Sequence, residues 1–360
     1  MARDRSWGSD VLLLCNGIDR LTDISEDISF PEATDGQHKS KGWTGRIRNL
    51  RPPLGLDWST WFGIAAVLLA AFLLYRTLSG YSLQEVAASI GTIPGWRLGA
   101  ALGFAAASYV CLTFFDYLAL RYVKHPLPYP KAAIASFSAL SLGHSIGFSG
   151  LSSGAIRYRY YSRWGLSVGD VAKLVFFCGT TVALGMIALG GIALLLESDA
   201  ATELTGFSRA GVVALGMACV GMLAIYLVLA ARIREPFRFR KWEIEMPSLR
   251  LALAQVGIGV ANFACVAACL HQTVSAFAEV PYVTVAAAFI IANTAALLAH
   301  VPGGLGVIET VVVHLISEKG MIAAVLVFRF TYFLMPLMVG AAAFGISELV
   351  FRRKPAALAA

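Results

Sequence analysis

The sequence has little charge for its length. Of its 360 residues, 14% are Asp, Glu, Lys or Arg, whereas about 25% is usual in soluble proteins. Hydrophobic residues reach 58% even without the 34 glycines, and so few charged side chains cannot cover the surface of a soluble protein of this size. The composition therefore excludes a soluble globular enzyme and a chain that is disordered throughout.

Motifs of common catalytic and metal sites are also missing. The six cysteines form no Cys-x-x-Cys pair, and five of them lie in apolar runs, as buried structural cysteines do. The sequence contains no GxxxxGK phosphate-binding loop, no HExxH metal motif and no GxSxG nucleophile elbow. We therefore predict no catalytic residue, no metal or other cofactor, and no ATPase domain within the chain.

Residues 1–55 differ from the rest in composition. They hold eight Lys or Arg and eight Asp or Glu residues, and their only apolar run, residues 11–15, is too short for the core of a signal peptide. We interpret residues 1–55 as a disordered cytoplasmic tail; a misplaced start codon is the alternative. The formal charge of +7 arises in residues 56–360, where it is typical of cytoplasmic loops, so no nucleic-acid partner is predicted.

Long apolar runs separated by short charged loops fill the rest of the chain. A spanning helix needs roughly 20 apolar residues, and six runs are long enough to cross a bilayer on this criterion. These runs are residues 60–79, 97–120, 170–196, 209–231, 249–277 and 321–350. They predict an all-α polytopic membrane domain over residues 56–352, followed by a short cytoplasmic tail, residues 353–360.

Two further apolar stretches each run into a glycine-rich break. Residues 131–148 lead into a break that reads GFSGLSSG, and residues 281–300 are followed closely by PGGLG. Irregular backbone at membrane depth is tolerated only when it is buried in protein or lines a wet cavity. We therefore predict re-entrant hairpins over residues 131–165 and 281–318. If the two apolar stretches cross the bilayer untilted, the protein has eight spans instead.

The lysine and arginine positions predict opposite orientations for the two hairpins. Basic residues precede the first span, flank the first hairpin and follow the last span, and the positive-inside rule places all of them in the cytoplasm. Both termini are then cytoplasmic, the first hairpin opens to the cytoplasm and the second opens to the outside. The two halves of the domain would form an inverted repeat, which in transporters builds a midplane site from broken helices.

Charged residues inside apolar segments are the first candidates for a functional site, because they are costly in a bilayer. Arg329 lies within the last span and needs a partner, for which Glu309 is the nearest candidate. Arg157 follows the first break and is either a phosphate contact or one of several topogenic charges. Asp116 is either functional or interfacial, since it lies only five residues before Arg121.

The breaks supply a second kind of candidate. Each leaves free backbone N–H groups at the start of a helix, which favours an anion such as a lipid phosphate. Gly303 and Gly304 allow close approach of the backbone to a ligand, although glycines also serve close helix packing. His144 and His300 precede the two breaks and are candidates for polar or proton contacts; hydrogen-bonded core histidines are the commoner case.

Three segments together resemble a known family. The second break reads HVPGGLGVIE over residues 300–309, and the run that begins at Arg329 reads RFTYFLMP. With the SGAIRYR segment around Arg157, these motifs resemble the membrane domain of the lysylphosphatidylglycerol synthases, the multiple peptide resistance factor family, and its stand-alone membrane relatives. The resemblance covers about residues 56–352.

The resemblance implies a translocase that moves aminoacylated phosphatidylglycerol, or another anionic phospholipid, to the outer leaflet of a bacterial inner membrane. It adds Tyr332 to Arg157, Glu309 and Arg329 as residues of the lipid pathway. Because the sequence ends at Ala360, we expect the soluble synthase domain of the family, and its lysyltransferase activity, to be absent.

Two alternatives stay open. One is a translocase for polyprenyl-phosphate carriers, which would use the same arginines and hairpins. The other is the membrane subunit of an aminoacyl-lipid synthase whose enzyme is a separate chain. The expected partners are the phospholipid and the bilayer, with a separate synthase or a second copy of the chain as further candidates.

Overall fold

The computed structural model describes residues 83–146, 149–233, 237–239, 242–298, 306–315 and 320–353. Some of the features predicted from the sequence lie outside these ranges. They are the tail over residues 1–55, the span at residues 60–79, the short tail after residue 353, and the residues His300, Gly303 and Gly304 of the second break.

Helices make up nearly all of the described chain. Its elements are twelve α-helices, a 3₁₀ turn, a π-helical segment and one short antiparallel strand pair. In chain order they are α1 (Leu83–Thr92), α2 (Gly95–Tyr122), α3 (Tyr129–Ile146), α4 (Ser149–Tyr161), the 3₁₀ turn (Ser162–Trp164), α5 (Val168–Leu196), α6 (Ser198–Thr205), α7 (Arg209–Arg232), β1 (Phe237–Phe239), β2 (Trp242–Ile244), α8 (Leu249–Val274), α9 (Tyr282–Leu298), α10 (Val307–Leu315), α11 (Met321–Arg329), the π-helical segment (Phe330–Leu334) and α12 (Met335–Arg353).

Five helices in the described chain are long and apolar enough to cross a membrane: α2, α5, α7, α8 and the continuous run Met321–Phe351. They confirm the five predicted spans that fall within the described residues, and with them a polytopic all-α membrane protein. In the 18-residue apolar stretch of α7, only 11% of the residues are buried, whereas 39–50% are buried in the corresponding stretches of the other four spans. This difference places α7 at the periphery, where its apolar surface suits contact with lipid.

Serine caps explain where three of the spans begin. Ser167 accepts a hydrogen bond from the Asp170 backbone, and its own backbone N–H donates to the Asp170 carboxylate in return, a reciprocal capping box at the start of α5. Ser208 and Ser248 cap α7 and α8 in the simpler way, through their hydroxyl oxygens. Each cap satisfies an N–H group that the helix itself leaves unpaired, which fixes the chain at the point where it turns into the next span.

Helices α3 and α4 form the first predicted hairpin. They approach so closely near the turn that a Cβ on Gly143 would lie 2.8 Å from the Ser153 Cβ. At the open end, the His125 ring nitrogen Nε2 lies 3.0 Å from the carbonyl oxygen of Trp164. The chain therefore enters and leaves this hairpin at one end, which we call the Trp164 end.

Helices α9 and α10 form the second hairpin. Phe277 lies before α9, and its ring packs so closely on Gly320, after α10, that a Cβ there would overlap it. Gly320 also has a φ of +94°, a conformation that residues with a Cβ rarely adopt. This hairpin therefore also enters and leaves at a single end, which we call the Phe277 end.

The two hairpins open at opposite ends of the molecule. Helices α2 and α8 are antiparallel, because the Tyr122 hydroxyl at the end of α2 donates to the Glu245 carbonyl just before α8, at 2.6 Å. Hairpin one follows the end of α2, and hairpin two follows the end of α8. The described part of the chain thus has the reversed arrangement expected of an inverted repeat.

Candidate functional site

The first buried ion pair joins hairpin one to a spanning helix. Arg157 on α4 donates from Nη2 to Asp116 Oδ1 of α2 at 2.7 Å, and from Nε to Asp116 Oδ2 at 2.9 Å. The two side chains are 3% and 0% exposed. Such a two-point contact fixes both groups in one orientation and matches the planar guanidinium to the planar carboxylate.

Further residues of α4 and two more helices, α3 and α5, complete the surroundings of the Asp116 carboxylate and its partner. The Tyr161 hydroxyl of α4 donates to Oδ2 at 2.7 Å, and Ser136 of α3 donates to Oδ1 at 3.0 Å. Cys178 of α5 lies 3.6 Å from Oδ1. Arg157 in turn donates from Nη1 to Ser153 at 3.0 Å. Asp116 is therefore an interior residue rather than an interfacial one, and Arg157 is held by this pair rather than lying in a loop.

A second ion pair, between a buried arginine and a half-buried glutamate, joins hairpin two to the last span. Arg329, at the end of α11, donates from Nε to Glu309 Oε1 and from Nη2 to Glu309 Oε2, the latter at 2.8 Å. The contact expected from the sequence is therefore present. The same Oε2 accepts the Gly306 backbone N–H at 2.9 Å, so Glu309 also occupies the position at the start of α10 where an anion is favoured.

Tyr332 belongs to a separate polar network beside that pair. It lies in the π-helical segment, whose wider turns leave backbone groups unpaired, and its carbonyl accepts the Tyr109 hydroxyl at 3.3 Å. Its own hydroxyl lies 3.1 Å from the Ser108 hydroxyl, which donates to Asn262 Oδ1 at 2.8 Å. The network links α2, α8 and the last span in the centre of the molecule.

Helix α2 connects the two regions. Ser108 and Tyr109 contact the Tyr332 network, and Asp116 lies eight residues beyond Ser108, about 12 Å along a helix that rises 1.5 Å per residue. Both groups lie on its buried face. One face of one spanning helix thus carries polar side chains from near the second ion pair to the first.

A third charged cluster was not predicted from the sequence. Glu348 of α12 accepts hydrogen bonds from Arg159 and Arg163, which lie on α4 and the 3₁₀ turn after it. Glu348 is only 5% exposed. Its position four residues before Arg352 made it look like an ordinary residue at the end of a span. The sequence does contain one indication of this cluster: Glu348 is the only carboxylate of its apolar segment, and two arginines of hairpin one need a partner.

One cavity, possible metal sites and His144 remain to be placed among the described residues. A cavity of about 340 Å³ opens between α2, α8 and the start of α9, and it is lined by Phe104, Ala264, Cys265, Ala268, His271, Gln272 and Tyr282. No group of three His, Cys, Asp or Glu side chains in the described ranges could hold a metal ion. His144 lies within α3, and its role in a site stays a prediction.

These features define a polytopic helical membrane protein in which two hairpins, open at opposite ends, each carry one member of an interior ion pair. The chain belongs to the family described as the lysylphosphatidylglycerol synthase TM region, whose model matches residues 63–340. The resemblance noted in the sequence is thereby confirmed.

Three relatives are similar to most of this chain, but the share of their own length that the similarity covers differs. The uncharacterized protein slr0712 of Synechocystis is 27% identical over 296 residues, which cover 81% of this chain and 92% of that protein. The inner membrane protein YbhN of Escherichia coli is 26% identical over 287 residues, 78% of this chain and 88% of YbhN. The phosphatidylglycerol lysyltransferase of Staphylococcus aureus is 22% identical over 283 residues, 77% of this chain but 32% of that enzyme.

Proposed function

We propose that this protein moves an anionic phospholipid between the leaflets of a bacterial inner membrane. The observation that carries the proposal is the presence of two interior ion pairs, one fully and one partly buried. Arg157 on hairpin one faces Asp116 on a span, and Glu309 on hairpin two faces Arg329 on a span. Two hairpins from opposite ends therefore each bring one charge to a partner on a spanning helix.

The cost of these charges supports a functional role. Two ions taken out of water lose several kcal/mol of solvation each, and a buried pair is often no more stable than well-packed apolar residues of the same volume. Stability alone therefore gives weak reason to place charges in the interior of a membrane protein. Ionisable groups within membrane segments commonly mark the pathway of a substrate or ion.

The arrangement suits a negatively charged headgroup with apolar tails. Arg329 and the start of α10 form a cationic position that Glu309 fills in this state. A lipid phosphate that replaced the carboxylate would meet the same donors, and a protonated or cationic group would meet Glu309 instead. The polar face of α2 then offers contacts from Tyr332 towards Asp116, while the tails stay in the bilayer.

Relatives support the class of substrate. One relative is named a phosphatidylglycerol lysyltransferase, and this chain covers about a third of it. The chain itself matches the membrane region of the family. Our proposal assigns transport, not amino-acid transfer, to the region that this chain covers. It places both termini in the cytoplasm and includes a separate synthase or a second copy of the chain as partners that supply or share the lipid.

A leaflet-resolved transport assay tests the proposal. The purified protein would be reconstituted in liposomes containing lysyl-phosphatidylglycerol, phosphatidylglycerol, phosphatidylcholine or a polyprenyl phosphate, one headgroup at a time. We expect faster exposure of one anionic or aminoacylated phospholipid than in protein-free liposomes and little movement of phosphatidylcholine. Movement of the polyprenyl phosphate alone would favour the carrier-lipid alternative, and movement of none would contradict transport by this chain on its own.

A further inference from the structure

The third charged cluster has the geometry of an oxyanion site. Arg159 donates from Nε to Glu348 Oε1 at 3.1 Å and from Nη2 to Oε2 at 2.9 Å. Arg163 donates from Nη2 to the same Oε2 at 3.0 Å. Two guanidinium groups therefore surround one carboxylate, with three N–H donors directed at its two oxygens. This donor set also matches the oxygens of a phosphate group.

The described residues leave one buried donor of this cluster unused. Arg159 and Arg163 both pair with the Glu348 carboxylate, and Nη1 of Arg163 is buried without a hydrogen-bond partner among the described residues. A buried donor without a partner is unfavourable. A carboxylate places its two oxygens in one plane, whereas the phosphodiester of a phospholipid carries the same single charge on two oxygens and adds two weaker ester oxygens in a tetrahedral arrangement. A phospholipid phosphate can therefore replace the carboxylate at the same charge and offer Nη1 of Arg163 an acceptor outside the carboxylate plane.

The position of the cluster makes it reachable from the membrane surface. It lies at the Trp164 end, where α4 finishes and the last span approaches its C-terminal end. The arginine side chains are 18% and 23% exposed, while the side chain of Glu348 is 7% exposed. Arg163 lies over the Phe351 ring at 4.5 Å, and Lys131 lies over the Trp164 ring at 5.7 Å. Aromatic and basic side chains together are typical of the interface between lipid tails and headgroups.

We propose that Arg159 and Arg163 form a binding site for a phosphate group, which Glu348 occupies as an internal stand-in. The phosphate is that of an anionic phospholipid headgroup, an assignment that rests on the proposed function. When the headgroup binds, it takes over the arginine donors and displaces the Glu348 carboxylate. Because Glu348 lies on the last span and both arginines lie on hairpin one or its following turn, this exchange also separates hairpin one from α12.

Lipid retention by the purified protein tests the site without requiring transport. The protein would be exchanged into nanodiscs that contain phosphatidylcholine with a small fraction of phosphatidylglycerol, and bound lipid would be counted by native mass spectrometry. We expect Glu348→Gln to raise phosphatidylglycerol retention several-fold, because it removes the competing charge. The double substitution of Arg159→Gln with Arg163→Gln should reduce retention to the level of phosphatidylcholine.

Matched controls distinguish the site from a general effect of charge. Arg121 is an exposed arginine at the same end that packs on Tyr117, and Arg121→Gln should leave retention unchanged. Glu348→Asp keeps the charge but shortens the side chain, so it should raise retention even if Glu348→Gln fails to fold.

Inorganic phosphate at millimolar concentration should displace the lipid if a headgroup phosphate alone is recognised, and should have no effect if the glycerol or the tails contribute.

The outcomes separate this proposal from the proposed function. Unchanged retention in Glu348→Asp, Glu348→Gln and the double arginine variant would overturn the site, whatever the transport assay shows. If substitutions at residues 159, 163 and 348 change lipid retention as expected but the protein moves no lipid, the result would support the site and contradict transport.

Discussion

Asp116 and Arg157 are 41 residues apart in the chain, yet their side chains meet in a two-point ion pair that is almost completely buried. The pair joins the first complete span that the structure describes to the returning arm of hairpin one. It is surrounded by hydroxyl donors from two further residues, Ser136 and Tyr161. Its formation therefore depends on the correct packing of at least three helices.

Removing one partner of this pair should be strongly destabilising. Asp116→Asn leaves the Arg157 charge buried with a neutral partner, and loss of one member of a buried pair costs about 3–5 kcal/mol. We expect a clear fall in thermal stability in detergent, measured by the loss of monodisperse protein on heating. The double variant Asp116→Asn with Arg157→Gln should recover much of that stability.

An exposed pair provides the control for that experiment. Arg209 and Asp199 lie 3.2 Å apart, and their side chains are 69% and 80% exposed. Asp199→Asn should change stability by less than about 1 kcal/mol, because exposed ion pairs contribute little. Equal effects of Asp116→Asn and Asp199→Asn would show that burial of the first pair does not matter.

The Glu309–Arg329 pair separates a structural role from a transport role. Arg329→Ala should be destabilising, because it removes the guanidinium that pairs with the Glu309 carboxylate at two points. Adding Glu309→Gln should restore stability. If Arg329 meets the lipid phosphate, the double variant is stable and inactive in the liposome assay. A stable and fully active double variant would remove Arg329 from the lipid pathway.

Tyr332→Phe tests the central polar network. The substitution removes one hydroxyl that lies beside Ser108, while Ser108 keeps its hydrogen bond to Asn262. The expected loss of stability is therefore small, about 1 kcal/mol, with a larger proportional loss of transport. Tyr226→Phe is the control, since Tyr226 also bonds a buried side chain, that of Gln255. Matching losses of transport in both variants would argue against a special role for Tyr332.

Gly143→Ala tests the close approach of the two arms of hairpin one. A methyl group at this position would lie 2.8 Å from the Ser153 Cβ, so the arms must separate. We expect destabilisation of about 1–3 kcal/mol, as for overpacking elsewhere. Gly103→Ala places the same methyl group in open space on α2 and should be neutral or slightly stabilising. If both substitutions are neutral, the two arms of the hairpin are not in close contact.

Single-cysteine labelling tests the opposite openings of the hairpins. In a cysteine-free background, Ser162→Cys marks the Trp164 end and Glu279→Cys marks the Phe277 end. We expect a membrane-impermeant maleimide to label the first only from the cytoplasmic side and the second only from the outside. Labelling of both from one side would contradict the inverted arrangement.

The sequence predicted most of the fold because the bilayer imposes simple requirements. Run length identified the spans, and glycine-rich breaks after shorter runs identified the hairpins. The Glu309–Arg329 contact was predictable because each charge lies alone in an apolar segment and needs a partner. The numbers of lysines and arginines in the loops predicted which helices run in opposite directions. The contact between the end of α2 and the start of α8 agrees with that prediction, because it makes the two helices antiparallel.

Other parts of the site could not be predicted in the same way. Asp116 and Arg157 lie near other charges in the sequence, so either could have been interfacial, and only packing decides which charges turn inwards. Glu348 was hidden by the basic residues that follow it. The π-helical segment leaves no trace in hydropathy, because widening one turn of a helix does not change which residues are apolar.

That widened turn also sets the rotational register of the last span. A regular α-helix advances by about 100° per residue, so the 19 steps from Arg329 to Glu348 would leave the two side chains about 100° apart around the axis. A π turn accommodates one additional residue, so by the same arithmetic the two side chains would share about the same azimuth, roughly five turns apart. Deleting a single residue between Phe330 and Leu334 would therefore rotate α12 against α11, so that one charge loses its partner while the other keeps it. The length of this segment is constrained more tightly than its composition.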